Sequence, residues 1–73
     1  MYKLLQYDAY SVDVIGPLFN SVEDASGYVS RLFGGLLYME PDEMNVGCYD
    51  LYTAHGYNFA IEPASEHDRA LAA

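Results

Sequence analysis

The chain has 73 residues, 52% hydrophobic and 15% aromatic, with eight tyrosines, three phenylalanines and no tryptophan. Eleven acidic residues against three basic ones give a formal net charge of -8 at pH 7. That balance argues against direct binding to DNA, RNA or an anionic membrane, all of which call for Lys and Arg, and the length holds one domain at most.

A core of this size contributes a net ~3–5 kcal/mol, and the excess of carboxylates opposes it by self-repulsion. The same excess favours a basic partner, typically a nucleic-acid-binding protein, through steering and charge complementarity. Cys48 has no second cysteine to pair with, which points to a reducing cytoplasm. Met1 to Asp8 lacks the cationic start, apolar run and small-residue cleavage site of a signal peptide. No apolar run approaches the roughly 20 residues that span a bilayer. The expectation is a soluble, cytoplasmic protein.

In chain order, residues 2–7 are rich in strand formers, and residues 10–15 alternate. Tyr10, Val12 and Val14 fall on one side and Ser11 and Asp13 on the other. Asp8-Ala9 makes a poor two-residue turn, so the choice lies between a looser hairpin of two strands, which is preferred, and one long bent strand. Pro17 has no amide hydrogen to give a ladder, so the strand is expected to end near Ile15.

Ser21-Val22-Glu23-Asp24 reads as a helix start, with the Ser21 hydroxyl as cap, Asn20 as the alternative, and two acids at the positive helix end. Val22, Ala25, Val29, Leu32 and Leu36 follow a helical spacing. Gly27 within it implies close packing on the sheet or simple tolerance. Gly34-Gly35 ends the helix. Leu36 to Met39 reads equally as a short strand or as more helix, and Glu40 to Asn45 as a polar loop. Val46 to Thr53 reads as a strand, His55-Gly56 as a turn and Tyr57 to Ile61 as the return strand, closed by Pro63. Residues 64–73 read as one or two turns of helix or a frayed tail. The sum is an α+β domain with an antiparallel sheet of about four strands, in ββαββ order, and one helix on one face. The other sheet face is left exposed and Tyr-rich.

Nothing in the sequence names a reaction. His55 has no second ligand or partner at a useful spacing and reads as an exposed turn residue. Glu62, Glu66, His67 and Asp68 gather in a tail that lacks the preorganisation a metal needs. Cys48 lies among acids that raise a thiol's pKa, so it reads as a small apolar residue and not as a nucleophile. No catalytic, cofactor or metal residue is assigned, and a non-enzymatic protein is expected. Two features suit partner contact. One is the acidic stretch Glu40, Asp42 and Glu43. The other is the run Gly47 to Thr53, where alternation separates Tyr49, Leu51 and Thr53 from Cys48, Asp50 and Tyr52. The residues proposed for contact are therefore Glu40, Asp42, Glu43, Tyr49, Asp50 and Tyr52.

Two resemblances add to this. Residues Ile15–Tyr28, with Gly-Pro, a Phe and Ser-x-x-Asp-Ala at a helix start, and Tyr57–Pro63, Tyr-Asn-Phe-Ala-Ile-Glu-Pro, resemble many small phage and plasmid domains. Small size, acidity and the lack of a catalytic constellation are similar to phage-borne inhibitors of host defence. These include anti-CRISPR and anti-restriction proteins, some of which mimic the charge of DNA. Here the carboxylates are scattered over loops and both strand faces and form no long rows. The resemblance implies an inhibitor that docks on a basic surface of a nucleic-acid-binding host protein, such as a CRISPR effector, and blocks nucleic-acid access. The alternative is a small structural or regulatory homodimer joined through sheet edges or faces, the last hairpin leaving an open edge.

Overall fold

The computed structural model describes residues 1–72. Its elements are β1 (Tyr2–Tyr7), β2 (Val12–Phe19), α1 (Val22–Phe33), β3 (Leu36–Pro41), β4 (Tyr49–Thr53), β5 (Asn58–Pro63) and α2 (Glu66–Ala72). The five strands form one sheet in the order β2-β1-β5-β4-β3, every neighbouring pair antiparallel. The α+β class, the antiparallel sheet and the helix against one face agree with expectation. The counts differ: a fifth strand forms from Leu36–Pro41, and residues 66–72 form a second helix. Residue 73 lies outside the described residues.

The first hairpin is the looser one. The Asp8 carboxylate accepts hydrogen bonds from the Tyr10 amide at 2.7 Å and the Ser11 amide at 2.9 Å, and the Asp8 amide donates to the Ser11 carbonyl at 3.0 Å. One side chain thus organises a turn without the Gly or Asn of a tight one. Strand β2 does not end at Ile15. It runs on through Gly16-Pro17 to Phe19, because the ladder absorbs the interruption as a bulge: Leu4 pairs with Ile15, and Tyr2 pairs with Phe19. Gly16 takes φ +69° at this bulge, and Pro17 sits on an edge strand, where a missing donor is tolerated.

Helix α1 starts and stops as read. Ser21 Oγ accepts from the Asp24 amide at 3.0 Å, and the Gly34 amide donates back to the Ser30 carbonyl at 3.1 Å with φ +68°. The buried face is narrower than the spacing implied. Ala25 and Val29 are fully buried, Val22, Tyr28 and Phe33 pack beside them, and Leu32 is 61% exposed. Leu36 belongs to β3, where it still packs on the core. Near Gly27 the contact is the flexible Arg31 side chain, so tolerance explains the glycine.

The chain passes from one sheet edge, β2, through α1 to the other edge, β3, and then fills the middle with β4 and β5. The last hairpin therefore leaves no edge: β5 lies between β1 and β4. Leu4, Leu51, Phe59 and Ile61 from the three central strands meet Phe19, Ala25 and Val29 in one core. Register sets the faces. Leu4 faces Ile61, Ile61 faces Tyr49 and Leu51 faces Phe59, all on the α1 side. Their sequence neighbours therefore point to the opposite, open side.

Candidate functional site

On the open side, two rows of side chains cross all five strands. One is Val12, Tyr7, Asn58, Tyr52 and Tyr38; the other is Val14, Leu5, Ala60, Asp50 and Glu40. The apolar alternation of β2 is thus turned away from α1, and Val12 and Val14 are 64% and 60% exposed. Helix α2 is tethered at one end of this face. The Lys3 ammonium lies 3.8 Å from the Glu62 carboxylate and 3.3 Å from that of Asp68, and the Ala64 amide donates to the Met1 carbonyl at 2.8 Å. Ser65 and Asp68 close the first turn of α2 by reciprocal hydrogen bonds. Between α2 and β2 runs an open groove of about 700 Å³ whose lining includes Met1, Val14, Pro17, Leu18 and Leu71.

The β3–β4 end of the face concentrates aromatic surface and negative charge. Tyr38 and Tyr52 pair across the strands, and their rings stack with centroids 4.7 Å apart and planes 26° from parallel. In the next row Glu40 stands opposite Asp50, a like-charged cross-strand pair. The Tyr52 hydroxyl donates to the Glu40 carboxylate at 3.5 Å, joining the rows. Desolvation raises the Tyr52 phenol above its ordinary pKa, with the charges of Asp50 and Glu40 among the further causes. Tyr7 is raised too, first by burial and then by Asp50. In both phenols burial is the leading cause, and the nearby Asp50 charge adds to it.

The six residues read from sequence separate in three dimensions. Glu40, Asp50 and Tyr52 come together on the open face. Tyr49 is on the α1 side, packed against the core, because its register partner Ile61 is buried. Asp42 and Glu43 lie in the loop after β3, which begins at Asp42; Glu40 and Pro41 are strand and not loop. In that loop Asp42 accepts from the Met44 amide at 2.9 Å and from the Asn45 side chain at 3.2 Å, and these bonds hold its carboxyl below the usual pKa. The same loop presents Met44 and Val46, which are 88% and 97% exposed. Strand β4 starts at Tyr49, later than the run from Val46 implied. Tyr7 and Tyr38 join this face without any local sequence signal for it. The strand-forming composition of residues 2–7 places Tyr7 on a strand but not on a face, and nothing local marks Leu36–Pro41 as a strand over a helix.

His55 is exposed in the β4–β5 turn and His67 is exposed on α2. Cys48 is half-buried just before β4, and burial raises its thiol pKa, with Glu62, Asp42 and Asp50 adding to the effect. Among the described residues no group of three or more His, Cys, Asp or Glu is placed to hold a metal ion, and no helix is long and apolar enough to cross a membrane. Comparison of the chain with protein-family models, with curated proteins and with solved structures found no match.

Proposed function

We propose that this chain is a non-enzymatic, anti-CRISPR-like binding protein of phage origin. The open sheet face docks on a basic surface of a nucleic-acid-binding host protein or complex in the host cytoplasm, and nucleic-acid access is blocked. The observation that carries this reading is the union, at the β3–β4 end of the open sheet face, of the stacked Tyr38–Tyr52 pair with the opposed Glu40 and Asp50 carboxylates. Tyrosine offers rigid contact area with little entropy to lose, and the carboxylates steer and orient a cationic partner. Asp42 and Glu43 in the adjoining loop extend the negative field toward the same end of the sheet. Tyr49 drops out of the proposed contact, since it supports the core.

The homodimer reading is the weaker one. Face-to-face pairing would set Glu40 and Asp50 of two copies against one another, and the chain has three cations in all. Of these, Lys3 is already paired with Glu62 and Asp68. Edge pairing is opposed at β2 by Pro17 and the Gly16 bulge.

Titration against purified CRISPR effector and restriction complexes, at low and high salt and with and without their nucleic acid, tests the proposal. Binding that weakens with salt and is displaced by nucleic acid is expected. Salt-independent binding, or a complex that still admits nucleic acid, would count against it. Sedimentation at micromolar concentration addresses the alternative, and a stable dimer occluding Tyr38 would favour it.

A further inference from the structure

We infer that the anchor this face takes from its partner is an arginine, its guanidinium laid on the Tyr38–Tyr52 stack and hydrogen-bonded to Glu40 and Asp50. The inference rests on the reading of the open face as a docking surface for a basic protein, and it adds which basic side chain is selected. The first argument is electrostatic. Glu40 and Asp50 oppose each other directly, which is destabilising for like charges on neighbouring strands. Among the described residues the ion pairs are those of Lys3 with Glu62 and Asp68, so this carboxylate pair is left to a cation from outside.

The second argument is shape. Two stacked rings leave one outer face each, and Tyr38, on edge strand β3, is 52% exposed. The Tyr52 hydroxyl touches Glu40, so the aromatic surface and the carboxylates are contiguous. A planar cation can lie on the ring while its edge donors reach carboxylates one row away. Guanidinium meets both demands: it is planar, weakly hydrated, stacks on aromatic faces and carries a fork of donors. A lysine ammonium is a compact, strongly hydrated point charge and meets the electrostatic demand alone. A second copy of this chain is a poor occupant, because it would bring its own carboxylates to the pair.

Two peptides of equal length and charge, one with arginines and one with lysines spaced by Gly-Ser, provide the probe for titration of the full chain at low salt by NMR and calorimetry. The arginine peptide is expected to bind about tenfold more tightly. Amide shifts should centre on Tyr38, Glu40, Asp50 and Tyr52, with ring-current shifts of the arginine δ-methylene. Tyr38→Leu should abolish the preference while leaving the lysine peptide's affinity within about twofold, since the carboxylates that attract it are unchanged. Equal affinity of the two peptides, or arginine shifts that map elsewhere on the wild-type chain, would overturn the arginine assignment and leave a general basic-surface reading standing. Failure of both peptides to bind even at low salt would overturn the docking surface itself. The wild-type shift map holds whether or not the variant folds.

Discussion

Glu40 and Asp50 face each other across the β3–β4 ladder, on the side of the sheet away from α1. A fold with eleven carboxylates and three cations has reason to keep them apart. Placing two in direct cross-strand register costs stability that a bound cation would recover.

Removal of one charge from that pair should therefore stabilise the free protein while weakening its binding. Glu40→Gln is expected to raise stability by about 0.2–1 kcal/mol, read as a shift of the denaturant midpoint at unchanged slope. Association with a basic partner should slow at low salt and converge with wild type at high salt. Loss of stability in Glu40→Gln, whose amide oxygen can still accept from Tyr52, would show that the charge-assisted strength of that hydrogen bond outweighs the repulsion.

Gly16 should resist replacement. Its φ is +69°, and a Cβ there would stand 2.9 Å from Cζ of Tyr28, whose ring makes an edge contact with Phe19 at 5.2 Å between centroids. Gly16→Ala is expected to cost at least about 1–3 kcal/mol from backbone strain, with the clash in addition. Thermal melts measure it. Gly34→Ala separates the two causes, since Gly34 has a similar φ and nothing within 4 Å of the added carbon.

The Ser21 cap carries its own increment. Ser21→Ala removes the acceptor of the Asp24 amide and should cost about 1 kcal/mol, whereas Ser21→Asp should be close to neutral. A cost of Ser21→Ala indistinguishable from zero would show that water replaces the hydroxyl.

Leu51→Ala should abolish folding. Leu51 is fully buried at the centre of the sheet between β3 and β5. Its truncation costs about 2–5 kcal/mol, comparable with the whole net stability of a core this small. A cooperative melt in this variant would mean the core is larger in energy than the seven buried apolar side chains among the described residues imply.

The pH dependence follows from two sets of shifts. Asp8, Asp42 and Asp68 are held low, each chiefly by hydrogen bonds. A lowered folded value means the native state binds the proton less well than the unfolded chain. This stabilisation is complete above the ordinary carboxylate range and is lost as pH falls below about 4. Tyr7 and Tyr52 are shifted upward, so the native state holds their protons more tightly. That contribution is present below about pH 10 and is lost as pH rises through the folded values. Stability should thus form a plateau that falls at both ends, measured by urea titrations across pH. A gain in stability below pH 4 would show that relief of self-repulsion dominates instead.

Local chemistry was legible in the chain itself. Ser21 and Gly34 bound α1 because capping depends on a hydroxyl and a positive φ within a few residues, with no need of distant partners. The β4–β5 hairpin around His55-Gly56 and the stop at Pro63 are of the same kind. What required the tertiary structure was everything set by pairing. The continuation of β2 past Gly16-Pro17 depends on β1 opposite it accepting a bulge. The strand character of Leu36–Pro41 depends on β4 offering its free edge. Which tyrosine serves the core and which faces solvent depends on α1 covering one side: Tyr49 and Tyr52 share a strand, yet register with Ile61 turns the first inward and leaves the second beside Glu40. Acidity, the capped helix and the alternation are properties of the chain's local composition. Only the packed sheet decided which carboxylates meet, because cross-strand neighbours are chosen by register over long separations, which no local pattern records.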